Sequence, residues 1–291
     1  RAAQITSPDG LAILDAATGR VVDADFVVTA RWGGPITDTT RPIKWLLATF
    51  KTSVPANGTA NFVLTNYRPP APTQAITLDS SSPDVWIVDT GAARFEISTL
   101  GFNLFHRVTL AGKDLVTPSP ANGPYYTLDG ATYGATAAGG GRVSLVRFGN
   151  RDQTLTLKMK GAHRTVGDST DADLDFNTFL TFYAGSSAVR VQHTVQNNRP
   201  WVALENNADF RPIGSPNSVS ADEIGLRLRL NLGSNPSWRL STTANGEPIV
   251  GTLDETVSIY QDSAGGERWA MWRNARGTGS GPVADPIYGP A

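Results

Sequence analysis

Polar and apolar residues alternate with a period of two along most of this chain, and this pattern constrains the fold more than any other feature. Residues 189–195 are Val or His at every second position and polar between them, and segments 154–159 and 226–230 alternate in the same way. Successive side chains of a β-strand point to opposite faces, so each segment predicts a strand with one buried face. No window of ten or more residues carries a helical period free of Gly, Pro or this alternation. We therefore predict an all-β fold.

The composition indicates a turn-rich protein with enough apolar residues for a core. Of 291 residues, 40% are hydrophobic and 18% charged, and there are 29 Gly and 19 Pro. Because 25 Lys and Arg face 26 Asp and Glu, the chain has no basic excess for nucleic acid or anionic lipid. Apolar runs are strand-sized and fall short of the roughly 18 residues of a transmembrane helix. We predict no nucleic-acid partner and no membrane insertion.

The chain contains no Cys, which excludes disulfide bonds, thiolate metal sites and cysteine nucleophiles. It starts at Arg1 without Met and without a charged and apolar leader. We therefore expect that a signal peptide has been removed or lies outside this sequence.

Two proline-rich segments, 67–72 and 80–83, mark a predicted domain boundary, because Pro fixes an extended backbone and lacks a hydrogen-bond donor. Residues 1–78 have room for a small barrel or compact sandwich. Residues 79–276 have room for a large antiparallel sandwich. Residues 277–291 form an extended tail that we expect to be exchanged with a neighbouring copy.

Three segments resemble the YetA-like exo-rhamnogalacturonan lyases. They are PIKWLLATF (42–50) followed by ANGT (56–59), VDTGAARFEI (88–97) followed by VTLAGKDL (108–115), and FYAGSSAVRVQHT (182–194). The resemblance spans most of the chain and implies an N-terminal RIFT-like β-barrel in 1–78 and a central β-sandwich in 79–276. In that family the lyase chemistry belongs to a C-terminal α/α toroid, and no helical segment here matches it. The resemblance therefore implies no catalytic residue in this sequence.

The three histidines are the candidate general bases for β-elimination, which also needs a cation beside the uronate carboxylate and an acid for the leaving oxygen. His193 shares a strand face with valines, so the pattern favours a core histidine over a base. His106 lies in a predicted strand and His163 in a predicted turn, and their spacing matches no zinc motif. We predict no catalytic residue, no metal and no cofactor.

An acidic cluster between Asp168 and Asp175 is the candidate calcium loop. It lacks a Gly at the sixth position and an acid at the twelfth, so the pattern favours a solvated turn, and a bound metal there stays open.

Tryptophan faces are the candidate glycan contacts, because an indole ring covers the flat C–H surface of a sugar. Trp32 and Trp201 stand in loop-like contexts and are the predicted contacts. Three other tryptophans are predicted to be packing residues: Trp45, Trp269 and Trp272. Asn57, in the sequence Asn-Gly-Thr, is an N-glycosylation acceptor at a predicted hairpin tip.

These patterns favour a noncatalytic, extracellular or virion-surface protein that works through assembly with copies of itself or through glycan contact. In the tail, Ile287 and Tyr288 are the apolar anchors expected to enter a groove or extend a sheet edge on a neighbouring copy. Two alternatives stay open. One is a fragment of a rhamnogalacturonan-type polysaccharide lyase, an enzyme only if a toroid follows in the full gene, and the other is a monomeric carbohydrate-binding module.

Overall fold

A computed structural model describes residues 5–135, 141–165, 174–199, 218–240 and 247–253. Every regular element in these ranges is a β-strand, which confirms the all-β prediction. The chain divides into two compact units, residues 1–231 and 232–291. In the described ranges, no helix has the length and apolar character needed to cross a membrane.

The first strands form two separate antiparallel ladders. They are β1 (Leu11–Asp15), β2 (Val21–Val22), β3 (Ala24–Arg31), β4 (Ile43–Phe50) and β5 (Phe62–Asn66). β1 pairs with β2 and β5, whereas β3 pairs only with β4. A barrel needs every strand to pair on both sides, and no such ring closes among these described strands. The predicted closed barrel is therefore wrong, and a small core that includes Leu11 and Phe26 packs between the ladders instead.

Two larger antiparallel sheets enclose the main core of the first unit. The strands that follow β5 are β6 (Thr77–Asp79), β7 (Val85–Asp89), β8 (Ala93–Ser98), β9 (Arg107–Leu110), β10 (Lys113–Val116), β11 (Gly123–Leu128), β12 (Ala131–Gly134), β13 (Gly141–Phe148), β14 (Thr154–Ala162), β15 (Arg164–Thr165), β16 (Leu174–Tyr183), β17 (Val189–Asn197) and β18 (Glu223–Arg227). One sheet has the order β10-β9-β8-β7-β6 and the other β13-β14-β16-β17. A further sheet has the order β15-β12-β11-β18.

Strand β16 shows how the alternation builds this core. Its even-numbered residues, from Leu174 to Phe182, are all buried, and the side chains between them are partly exposed. The ring of Phe182 packs against Phe95 of β8 with the centroids 5.1 Å apart. The two sheets therefore face each other as the predicted antiparallel sandwich, while the predicted boundary at residue 78 remains a prediction.

The second unit contains one described hairpin, formed by β19 (Ser237–Leu240) and β20 (Ile249–Thr252). Gly251 pairs with Trp238 across the hairpin. A Cβ at Gly251 would lie 2.8 Å from the indole, so the missing side chain makes room for the ring.

Asp25 of β3 fixes the β3–β4 ladder against the four-stranded sheet β13-β14-β16-β17. Its side chain is buried, and the carboxylate accepts hydrogen bonds from Thr154 Oγ1 at 2.8 Å and Arg151 N at 2.9 Å. A Cβ at Gly149 would lie 1.8 Å from the same carboxylate, so Gly is required for this approach. The contact holds β4 beside the outer face of the sheet, where the candidate site lies.

Candidate functional site

A groove of about 410 Å³ lies between the outer face of the four-stranded sheet and strand β4. Strand β4 contributes Leu47 and Thr49 to it, and the sheet contributes the side chains that point away from the core. We call this feature the groove.

One row of residues crosses the groove from edge to edge. Arg147 of β13 is paired with Thr156 of β14, Thr156 with Thr181 of β16, and Thr181 with Arg190 of β17. The two threonine hydroxyls lie 3.0 Å apart. Since neighbouring strands are spaced about 4.8 Å apart, the two arginines stand roughly 14 Å apart at opposite sides of a hydroxyl-lined floor.

The electrostatic character of the groove is positive. Ion pairs among the described residues involve Arg41, Arg94 and Arg107, so neither Arg147 nor Arg190 has an acidic partner there. The described lining residues include no Asp, no Glu and no His. Both guanidinium groups are therefore available to an anion from solvent.

Aromatic rings lie beside the polar row. Phe179 and Tyr183 of β16 point to the outer face because they alternate with buried core residues. The Lys158 ammonium lies 5.5 Å from the Phe179 ring centroid and adds another positive charge next to the groove. The groove thus combines hydroxyl groups, two aromatic faces and cations.

The structure corrects the prediction that Trp45 is a packing residue. Its side chain is 64% exposed. The neighbours at positions 46, 48 and 50 pack on the small core, so Trp45 points the other way, to the side of β4 that carries Leu47 and Thr49. The sequence misled because residues 45–48 are apolar on both faces, which hides the alternation.

The predicted glycan contacts lie elsewhere or outside the described residues. Trp32 is 58% exposed but does not line the groove, and the Lys44 ammonium lies 4.7 Å from its ring centroid. One face of that indole is therefore already covered. Trp201 and the tail anchors Ile287 and Tyr288 lie outside the described residues.

Asn57, the predicted glycosylation acceptor, is exposed in a turn with a φ of 59°. This placement leaves its side-chain amide open to solvent. Residues 168–173 of the predicted acidic loop are not among the described residues. The same is true of the predicted packing residues Trp269 and Trp272. The described residues hold no cluster of three or more metal-ligating side chains.

The histidines do not reach the groove. His193 lies on the inner face of β17, with Nδ1 2.7 Å from Thr178 Oγ1, and His163 is fully buried with Nδ1 2.8 Å from Leu174 O. Burial, together with the charge of nearby His163, lowers the pKa of His193 to about 4. Burial also lowers the pKa of His163. His106 lies near the Asn103 amide, away from the groove lining.

Sequence reasoning missed the groove because its residues look like an ordinary solvated strand face. Arg190 and Gln192 were already visible as the polar partners of the valines in β17. The signal that marks them is a row of hydroxyl, aromatic and cationic side chains without acids that runs across four adjacent strands. That row is recognisable only once the strand order is known.

No protein-family model matches this chain, and no curated protein matches it. The resemblance to the YetA-like lyases gains no support from these comparisons and stays a prediction from the three sequence segments.

Proposed function

We propose that this protein is a noncatalytic glycan-binding β protein whose groove holds a strand of an anionic polysaccharide. The observation that carries the proposal is the pair Arg147 and Arg190, without acidic partners among the described residues, on either side of a groove without acids. Guanidinium groups bind carboxylate and sulfate oxygens through paired, charge-assisted hydrogen bonds.

The other groove residues suit the uncharged parts of a sugar chain. Hydroxyls of Thr156 and Thr181 and the amide of Gln192 can exchange hydrogen bonds with sugar hydroxyls. The Tyr183 ring, and the part of the Phe179 ring that the Lys158 ammonium leaves uncovered, offer apolar faces to the C–H surfaces of pyranose rings. The exposed Trp45, on the same side of β4, extends this apolar surface beyond the groove.

The described lining of the groove lacks the side chains that most often cleave glycosidic bonds. Breaking a glycosidic bond needs an acid and a base positioned at the reacting atoms. The described lining residues provide neither a carboxylate nor an imidazole. A polysaccharide lyase fragment stays an alternative, because the Tyr183 phenol is a possible proton donor or acceptor, and a monomeric carbohydrate-binding module would use the same surface.

The proposal also includes where the protein acts and whether it assembles with copies of itself. Anionic polysaccharides are abundant in cell walls and matrices, which suits an extracellular or virion-surface protein. Assembly with copies of itself remains a prediction from the tail, because residues 277–291 lie outside the described residues.

The double variant Arg147→Gln/Arg190→Gln tests the groove. We expect its affinity for polygalacturonate, measured by calorimetry, to fall roughly tenfold, since exposed ion pairs contribute about 0.2–1 kcal/mol each. The free energy of unfolding should change by less than about 0.5 kcal/mol, because both side chains are on the surface.

The matched control is Arg20→Gln/Arg239→Gln, which removes the same charge at two exposed arginines outside the groove. It should keep wild-type affinity. Equal weakening in both double variants would indicate unspecific attraction and contradict the proposal. Tighter binding of single-stranded DNA than of polygalacturonate through the same arginines would also contradict it.

A further inference from the structure

A second cavity, of about 280 Å³, adjoins the groove where strands β4 and β16 end. Three residues line both spaces: Thr49, Thr154 and Tyr183. The cavity and the groove are therefore neighbouring parts of one surface. The cavity is smaller than the pockets of about 300 Å³ or more that take drug-sized ligands, so it suits one sugar-sized ring.

The charge of this cavity differs from that of the groove. Asp23 and Lys51 are the charged groups among its described lining residues, and their charges cancel. The walls are mostly apolar and include the rings of Phe50 and Tyr183. A neutral ligand with one apolar face matches these walls better than an anion does.

Polar atoms around the cavity retain hydrogen-bonding capacity. Asp23 Oδ2 accepts hydrogen bonds from the Thr73 hydroxyl at 3.0 Å and the Thr73 N–H at 3.3 Å, and both bonds leave Oδ1 free to accept. The Lys51 ammonium donates to the Ala184 carbonyl and has further N–H groups to donate. Ser186 adds a hydroxyl to the lining.

The side-chain amide of Gln153 also provides a hydrogen-bond acceptor at the cavity. Its Nε2 donates to the Gln74 carbonyl, which fixes the side-chain amide, and its Oε1 is left as an acceptor. An acceptor from Asp23, an acceptor from Gln153 and a donor from Lys51 form a set that suits the hydroxyls of one sugar ring.

We infer that this cavity binds one neutral pyranose ring next to the anionic strand in the groove. The inference rests on the proposed function, because it takes the ring to belong to the same glycan. It adds a second specificity: charge is selected in the groove, and a neutral ring is selected in the cavity.

The test titrates the full chain with the methyl glycosides of glucose, galactose and mannose, with glycine betaine, and separately with polygalacturonate. Binding is followed by the amide NMR shifts of residues 49–51 and 183–186. We expect at least one methyl glycoside to bind saturably and to shift these amides. Asp23→Asn and Lys51→Met should each weaken that binding about fivefold, since each removes one charged hydrogen-bonding group.

The control variant is Asp84→Asn, which neutralises an exposed carboxylate away from the cavity and should bind the glycoside as wild type does. If no methyl glycoside shifts these amides, or if betaine binds there and the glycosides do not, the inference is overturned even when polygalacturonate binds. If a glycoside binds and polygalacturonate does not, the cavity assignment stands and the groove proposal fails. Wild-type affinity in both cavity variants would also overturn the inference.

Discussion

Replacing Asp25 by Ala is expected to lower the free energy of unfolding by about 3 kcal/mol. The carboxylate accepts hydrogen bonds from the Thr154 hydroxyl and the Arg151 N–H at a buried position. Its removal leaves two donors without their acceptor, and each unsatisfied buried group costs about 1–3 kcal/mol. Chemical denaturation of the wild type and the variant measures this difference.

Two further variants make that prediction specific. Asp84→Ala removes an exposed carboxylate and should change the free energy of unfolding by less than about 0.5 kcal/mol. Gly149→Ala keeps Asp25 but places a Cβ 1.8 Å from its carboxylate, so it should destabilise the same contact. Wild-type stability in both Asp25→Ala and Gly149→Ala would show that Asp25 does not fix the β3–β4 ladder to the sheet.

This contact also explains why the groove could not be predicted from the sequence. Asp25 and Thr154 are 129 positions apart, and their meeting places β4 beside the outer face of the sheet. Local patterns specify the faces of a strand but not which distant strand will lie against them. The groove exists only through that long-range placement.

The sequence predicted best where one face of a strand is clearly apolar. Strands β14 and β17 follow the predicted alternation, and His193 lies on the inner face with the valines. The predicted strand at 226–230 does not, because β18 ends at Arg227 and both Leu226 and Leu230 are exposed. The sequence pattern also failed at Trp45, where consecutive apolar residues conceal which face is buried. The prediction of a barrel in residues 1–78 was also wrong. A resemblance in strand sequence does not determine whether β3 pairs with a second strand besides β4.

The polar face of β17 shows a second limit. Arg190 and Gln192 have the same composition whether they face water or a ligand, since both environments hydrogen-bond polar groups. Only their neighbours across β16, Thr181 and Phe179, distinguish a groove from a solvated face. Such neighbours come from the sheet order, which sequence alternation leaves undetermined.

Acid is expected to destabilise the fold through His163, which is buried, and His193, which is partly buried. Burial lowers the pKa of His193 from its ordinary value of 6.5 to about 4. Between these two values the unfolded chain binds a proton that the folded chain does not, so stability falls as the pH drops from 6.5 to 4. The ring is partly accessible, and solvent screening keeps this contribution at or below about 3 kcal/mol. His163, with its pKa lowered by burial, contributes in the same direction.

The variant His193→Leu separates this effect from the titration of surface carboxylates, which both proteins share. At pH 7 the variant should be about 1 kcal/mol less stable than wild type, because the buried Thr178 hydroxyl loses its partner at 2.7 Å. At pH 4 the wild type has lost the histidine contribution, so the variant should be the more stable protein. Plots of the free energy of unfolding against pH, measured by denaturation between pH 7 and pH 4, should therefore cross for the two proteins. If the two plots instead stay parallel, His193 is already protonated in the fold or is not buried. The inner face of β17 would then be more hydrated than its contacts indicate.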